Sequence, residues 1–404
     1  MTTVLMVHNL YQQYGGEDSV VAAEVRLLEA HGHRVVCYYR HNDELRSRGA
    51  FGTLVAGIDT VWAQKSLCDV RTLIAKEKPD IAHFHNTFPL ISPSVYYACA
   101  AAGVPVLQTL HNFRLLCPCS ALLREGKVCE ECLGRSVAWP AIQHRCYRES
   151  YSATAAAAAM VAAHRAMGTW QDKIDTYIAL SEFARQKFID GGLPADRIAV
   201  KPNFVYSDPG PKRGPGEYAL FVGRLSEEKG LRVLLRAWQQ LDMDIPLRIA
   251  GDGPLKSELQ EAISANDVHG CTLVGALNGD GVRQAMHGAS FLVVPSVWYE
   301  GFPVTIAEAF ACGLPVVASR LGSLSEIVSD GCTGLHFCAG SSEELAAKAK
   351  WAWSHPVEMQ SMGRTARAEY ESKYTAEHYY EHVTRLWNRL GIDKESPREH
   401  QEER

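Results

Sequence analysis

Short apolar runs alternate with amphipathic stretches along nearly the whole chain. Thr3-Val4-Leu5-Met6-Val7 is the first run, and a glycine-bearing polar loop, Tyr14-Gly15-Gly16-Glu17-Asp18, separates it from a helix predicted over Ser19 to Ala30. Gly32 stops that helix and Arg34 to Tyr39 reads as the second strand. The alternation continues through helix Val61 to Lys76, strand Asp80 to His85, helix Ser94 to Ala102 and strand Pro105 to Leu110. After an irregular stretch it resumes with a helix from Tyr151, strand Thr176 to Leu180, helix Glu182 to Asp190 and strand Arg197 to Lys201. The strands are apolar throughout rather than at every second position, which predicts a parallel sheet covered by helices on both faces.

Ser207 to Gly216 is rich in proline and glycine and reads as a linker. A second series follows it: strand Tyr218 to Val222, helix Gly230 to Gln240, strand Leu247 to Ala250, helix Leu255 to Ala265, strand Thr272 to Gly275, helix Asp280 to His287, strand Phe291 to Pro295, helix Thr305 to Ala311 and strand Pro315 to Ala318, then helices near 342–353 and 356–370. The expected architecture is α/β, with two doubly wound, Rossmann-like domains facing each other across a cleft. The expected division is 1–205, carrying an insertion at 113–150; 206–373; a helix within 374–392 placed to return to the first domain; and a polar, disordered tail at 393–404. In such sheets ligands gather outside the carboxyl ends of the strands.

Composition narrows the partners. At 404 residues and 47% hydrophobic, the chain can bury two or three large cores, which excludes global disorder. Forty-one basic against 46 acidic residues give a net charge of −5, which argues against nucleic acid. Residues 1–205 carry 21 Lys and Arg against 19 Asp and Glu, a net of +2 that leaves peripheral contact with an anionic membrane surface open without arguing for it. No signal peptide is visible, and no apolar run reaches the roughly 20 residues of a membrane span. A cytoplasmic protein, its twelve cysteines reduced or metal-bound, is therefore expected.

Two segments carry candidate chemistry. Phe221-Val222-Gly223-Arg224-Leu225-Ser226-Glu227-Glu228-Lys229-Gly230 places two cations between a strand and a helix start, where phosphate is favoured; a solvated basic loop is the plain alternative. Pro295 to Ala309 contains Glu300-Gly301-Phe302-Pro303 and, eight residues after the first glutamate, Glu308. Gly301 and Pro303, the latter expected near the first helical position, let backbone amides approach an oxygen-rich ligand. Apolar Ile306, Ala307 and Ala309 flank Glu308 and disfavour a surface role for it. Asp242-Met243-Asp244 has the spelling of a metal-binding pair, but it precedes its strand and so falls at the wrong sheet edge.

In order and together, these segments resemble the nucleotide-sugar half of retaining glycosyltransferases of the GT-B fold, family four. Ile249 to Pro254 is similar to the family's glycine-rich loop, Leu314 to Ser319 to its next strand, Gly15-Gly16 to its glycine pair, and Thr109-Leu110-His111-Asn112 to its histidine after a strand. The resemblance implies transfer of a sugar from a uridine or guanosine diphosphate donor to a glycan or lipid-linked acceptor, with retention and without a cofactor or catalytic metal. It makes the first domain the acceptor side. It implies that Arg224 and Lys229 hold the diphosphate, Glu308 the ribose, Glu300 the sugar, and that the amides around Gly301, Phe302 and Pro303 support them. Gly15, Gly16 and His111 would close over the donor from the first domain, and the base would lie against Val274 to Asp280. Lipid-linked glycan assembly at the inner face of a membrane is the implied setting. A nucleotide-sugar epimerase of the same fold and a non-catalytic nucleotide-sugar binding protein are the competing readings.

Within 113–150 stand Cys117, Cys119, Cys129, Cys132 and Cys146. Cys117, the Cys129–Cys132 pair and Cys146 make a tentative structural zinc set, with His144 as an alternative fourth ligand. Reduced structural thiols and a redox disulfide are the alternatives. His83 and His85 end a strand at the cleft edge and read first as satisfied core residues, second as acceptor contacts. Trp170, Trp351 and Trp353 read as packing.

Overall fold

In a computed structural model the chain is described over residues 1–45, 57–241, 243–265, 268 and 270–392. Six strands form the first sheet: β1 (Thr3–Leu10), β2 (Arg34–His41), β3 (Ile81–Asn86), β4 (Val106–Leu110), β7 (Thr176–Ala179) and β8 (Ile198–Val200). Between β4 and β7 a two-residue hairpin, β5 (Leu123–Arg124) with β6 (Lys127–Val128), stands apart. The order is β2-β1-β3-β4-β7-β8, with every neighbour parallel. The side-chain alternation of β1 shows why its run is continuously apolar. Leu5 and Val7 pack with the helices Gln64–Glu77 and Val95–Ala102. Val4 and Met6 pack on the opposite face, against the helices Gly16–Ala30 and Ala376–Arg389.

The second sheet contains β9 (Tyr218–Val222), β10 (Leu247–Ala250), β11 (Cys271–Gly275), β12 (Ala289–Val294), β13 (Val316–Ser319) and β14 (Gly334–Phe337) in the order β11-β10-β9-β12-β13-β14, again all parallel. Both sheets are doubly wound, as the apolar runs predict. β14 and the short helix Ser323–Ile327 before it are additions to the predicted series.

The chain crosses between the domains twice, and the two crossings touch. Val205 and Thr375 form an isolated parallel bridge, and the Val205 N–H donates to the Tyr374 carbonyl at 3.0 Å. The final helix then returns to the first domain, where Val383, Leu386 and Trp387 are buried among Val4, Met6 and Ile178. The tail at 393–404 lies outside the described residues. Among the described residues no helix is long and apolar enough to cross a membrane.

Candidate active site

The carboxyl edge of the second sheet is drawn tight by glycines. A Cβ on Gly230, at φ +72°, would lie 1.8 Å from the Pro295 carbonyl oxygen, and one on Gly253 2.5 Å from that of Leu225. The loop after β9 is thereby seated on the end of β12 and on the loop after β10. Its Lys229 ammonium reaches both Glu300 carboxylate oxygens, at 2.8 and 3.0 Å. Ser296 donates to Glu300 at 2.6 Å. Burial alone would push the Glu300 carboxyl up, but Lys229, with the bond from Ser296, outweighs it and holds the group below the usual carboxylate range. Arg224 is exposed on the same loop. Glu308 is partly buried on the helix Val304–Ala311, where burial raises its carboxyl against the opposing pull of Arg283.

The first domain answers with His111, directly after β4. Its Nε2 lies 2.8 Å from His85 Nδ1. Behind His85 stands Glu24, wholly buried, with Oε2 at 3.4 Å from His85 Nε2 and Oε1 at 3.0 Å from His83 Nδ1. Tyr379 of the returning helix donates to Glu24, and the buried Lys201 ammonium sits 3.0 Å above the Tyr379 ring. Burial raises the Glu24 carboxyl, but His83 and Lys201 outweigh it and bring it to about 2. Burial drops the His111 imidazole to about 3, helped by His8, so the ring is neutral at pH 7. Among the described residues Glu24, His83 and His85 are the one group of metal-ligand types with donor atoms within 4.8 Å of one another. The Lys201 ammonium and the Tyr379 hydroxyl already compensate that carboxylate, so the cluster reads as a paired polar core behind His111.

The two sides meet. A Cβ on Gly301 would lie 2.7 Å from the His111 carbonyl oxygen, so glycine permits this approach. Ser181 and Ser323 hydroxyls join the domains at 2.9 Å. The Glu326 carboxylate accepts from the Glu182 and Phe183 N–H groups at 3.0 and 2.9 Å, capping a first-domain helix from the second domain.

Some details differ from the sequence expectations and others agree with them. The first helix begins at Gly16, three residues early, because Asp18 accepts the Gly15 N–H at 2.9 Å and closes the turn. Pro303 is the N-cap of its helix, with φ −69° and ψ 112°, and not its first helical residue. Phe302 turns into the second core against Tyr374, 5.4 Å between ring centres, and its carbonyl accepts from Asn203. Lys229 and Glu300 pair with each other. His83 and His85 are both buried. Asp244 is exposed just before β10, at the sheet edge away from the cleft, and Asp242 lies outside the described residues. Trp170 is buried, and Trp351 and Trp353 pack on the second core. Sequence reasoning passed over His8, Glu17, Asp18, Glu24, Lys201 and Tyr379. Glu17, beside Gly16, has a carboxyl that burial raises to about 7 against the pull of His8. A cavity of about 460 Å³ between Lys212, Trp353, Met359 and Arg364 opens at the amino ends of β12 and β13, away from this site.

Two facing doubly wound sheets with a cleft lined in this way define the GT-B architecture. Residues 15–203 match the glycosyl transferase 4-like domain and residues 216–355 the glycosyl transferases group 1. Each of the two domains thus matches one of these two models. It is 35% identical over 161 residues to an uncharacterized glycosyltransferase of Methanocaldococcus jannaschii, covering 40% of this chain and 44% of that protein. It is 30% identical over 167 residues to a D-rhamnosyltransferase of Pseudomonas aeruginosa, covering 41% and 43%. The matches thus span less than half the length of these curated relatives. An Anabaena protein solved with UDP-glucose superposes with a TM-score of 0.69 at 18% identity, covering 96% of this chain and 100% of that one.

Proposed function

We propose that the protein transfers a sugar from a nucleoside diphosphate donor to a hydroxyl of a glycan or lipid-linked acceptor, with retention at the anomeric carbon, as a family-four enzyme. The observation that carries this reading is the Lys229–Glu300 pair, set at the strand ends 3 Å or less apart and roofed by the His111 carbonyl at Gly301. Lys229 is partly exposed and can turn onto a diphosphate beside Arg224, while Ser296 still holds Glu300. As the anomeric C–O bond breaks, negative charge grows on the diphosphate, and fixed cations with the amides at the start of Val304–Ala311 stabilise it. Glu300 then takes hydroxyls of the reacting sugar, and Glu308 those of the ribose. The neutral His111 ring hydrogen-bonds the sugar from the other side. The acceptor oxygen forms its bond on the face the diphosphate leaves, and its proton passes to the departing phosphate oxygen. Gly15 and Gly16 approach the diphosphate from the first domain, and the base lies against 274–280. On this reading the two cations do for the diphosphate what a divalent ion does in Asp-x-Asp transferases. An acceptor carried on lipid at the cytoplasmic face of a membrane belongs to the same reading.

The test is nucleotide release from a panel of UDP- and GDP-sugars, with and without lipid-linked glycan acceptors, and proton NMR of the product anomer. Acceptor-dependent release with a retained anomer supports the reading. An epimerised donor formed without acceptor would establish the epimerase instead. Tight donor binding with no turnover on any acceptor, unchanged in Glu300→Gln, would establish a binding protein.

A further inference from the structure

The segment between His111 and the helix Tyr151–Ala166 gathers all five of its cysteines around one small cavity. Cys117, Cys119, Cys129, Cys132 and Cys146 line it, with Leu123, Arg124, Pro140 and Ala141. Local backbone bonds aim them there. The hairpin β5–β6 folds Cys129 back so that its N–H donates to the Leu122 carbonyl at 2.8 Å. The Glu130–Leu133 turn presents Cys132, and Cys146 is tied by its N–H to the Ala141 carbonyl at 3.0 Å.

The backbone here is strained. Ser120, Leu122, Glu125, Arg145, Arg148 and Glu149 are six of the eight non-glycine residues with left-handed φ among the described residues. Such conformations persist where the surroundings over-determine them. Phe113, Leu116, Cys117 and Leu122 anchor the first part of the segment in the first-domain core, whereas Cys132, Ala138, Ala141 and Ala158 form a small separate cluster with Ile142 and Cys146. A metal held between the two parts would tie them together.

We propose that Cys117, Cys129, Cys132 and Cys146 bind one zinc ion as four thiolates, a structural site that fastens the 113–150 segment beside the cleft. Of the two sulfurs lying 3.3 Å apart, Cys117 is buried, whereas Cys119 is half-buried and has a carbonyl acceptor, Leu123 O, at 3.9 Å. The sulfurs surround the cavity more loosely than ligands surround an ion. Binding draws them to about 3.8 Å from one another, the edge of a tetrahedron with zinc–sulfur bonds of about 2.3 Å. The four thiols release their protons to the buffer as the ion enters. Glu130, inside the Cys129–Cys132 pair, reaches Lys187 at 2.7 Å, and Phe113 at the start of the segment meets the Tyr299 ring edge-on at 6.4 Å, so the fastened segment bears on the residue beside Glu300.

The experiment is elemental mass spectrometry on the purified, untagged full chain, together with zinc release by an organomercurial read with an indicator dye. One zinc per chain is expected, released as thiols are titrated. Cys119→Ser keeps the zinc, and Cys129→Ser or Cys132→Ser loses it. Where a serine variant fails to fold, zinc release from the wild-type chain still decides the matter. No zinc in the wild-type chain with all five thiols free to a thiol reagent, or a Cys117–Cys119 disulfide seen as a mass lower by two hydrogens, would overturn the proposal. Zinc lost in Cys119→Ser but kept in Cys117→Ser would overturn the ligand assignment.

Discussion

Glu24→Gln isolates the polar core behind His111. The carboxylate is fully buried, with the His83 ring, the Tyr379 hydroxyl and the Lys201 ammonium as its surroundings. Its fall from an ordinary 4.5 to about 2 amounts to about 3 kcal/mol of favourable interaction at neutral pH, at about 1.4 kcal/mol per tenfold change in proton affinity. Removing the charge also strands Lys201, whose ammonium burial already draws down to about 7 against the pull of Glu24. The expected loss is therefore about 3 kcal/mol or more, in the range of broken buried ion pairs. Because the folded value is depressed, this stability is present above pH 4.5 and disappears as pH falls toward 2. Urea denaturation of wild type and variant at pH 7 and pH 3 reads both the size and the convergence. The Lys201→Met partner should recover part of the loss in the double variant, since it removes the stranded charge. A Glu24→Gln cost under about 1 kcal/mol at pH 7, or one that does not shrink at pH 3, would refute the reasoning.

Glu300→Gln should lower turnover by about 100-fold or more while donor affinity, measured calorimetrically, changes by less than about tenfold. Gly301→Ala places a Cβ 2.7 Å from the His111 carbonyl oxygen, so the domains should stand further apart in solution scattering and turnover should fall by at least about tenfold. Glu17 has a raised folded value, about 7 against 4.5, so its stability contribution is present below pH 4.5 and lost as pH rises through 7. Glu17→Gln should accordingly be more stable than wild type above pH 7, by up to about 3 kcal/mol in denaturant titration. Magnesium or manganese added to the turnover assay should leave the rate unchanged if, as proposed, Arg224 and Lys229 carry the charge of the diphosphate.

The strands were legible because both faces of each sheet are covered. β1 is apolar at every position from Val4 to Val7, so the run itself announces a buried parallel strand. β14 escaped notice because Gly334-Leu335-His336-Phe337 is short and follows glycine and threonine. It is a strand because Gly334 lets the backbone lie against Val316, where a Cβ would come within 1.9 Å. Arg224, Lys229 and Glu300 could be singled out because each sits in a loop after a strand, and Glu308 because it follows on the next helix; of these the structure pairs Lys229 with Glu300. Glu24, Lys201 and Tyr379 come from three distant elements and share no spacing, and a glutamate on an otherwise ordinary helix gives no local sign of a buried pair. Cys119 was visible as a letter but not as a sulfur touching that of Cys117, since it is the turn closed by the Ser120 N–H on the Cys117 carbonyl that brings the two sulfurs to 3.3 Å.

The adjoining crossings at Val205 and Thr375 make the polypeptide a clasp with two prongs at one spot. A protease that nicks the proline- and glycine-rich stretch 207–216 cuts a single prong. The carboxyl-terminal fragment still carries the helix Ala376–Arg389 embedded in its counterpart by Val383, Leu386 and Trp387. The severed halves should thus elute as one particle, and a truncation before Ala376 would be what sets them adrift.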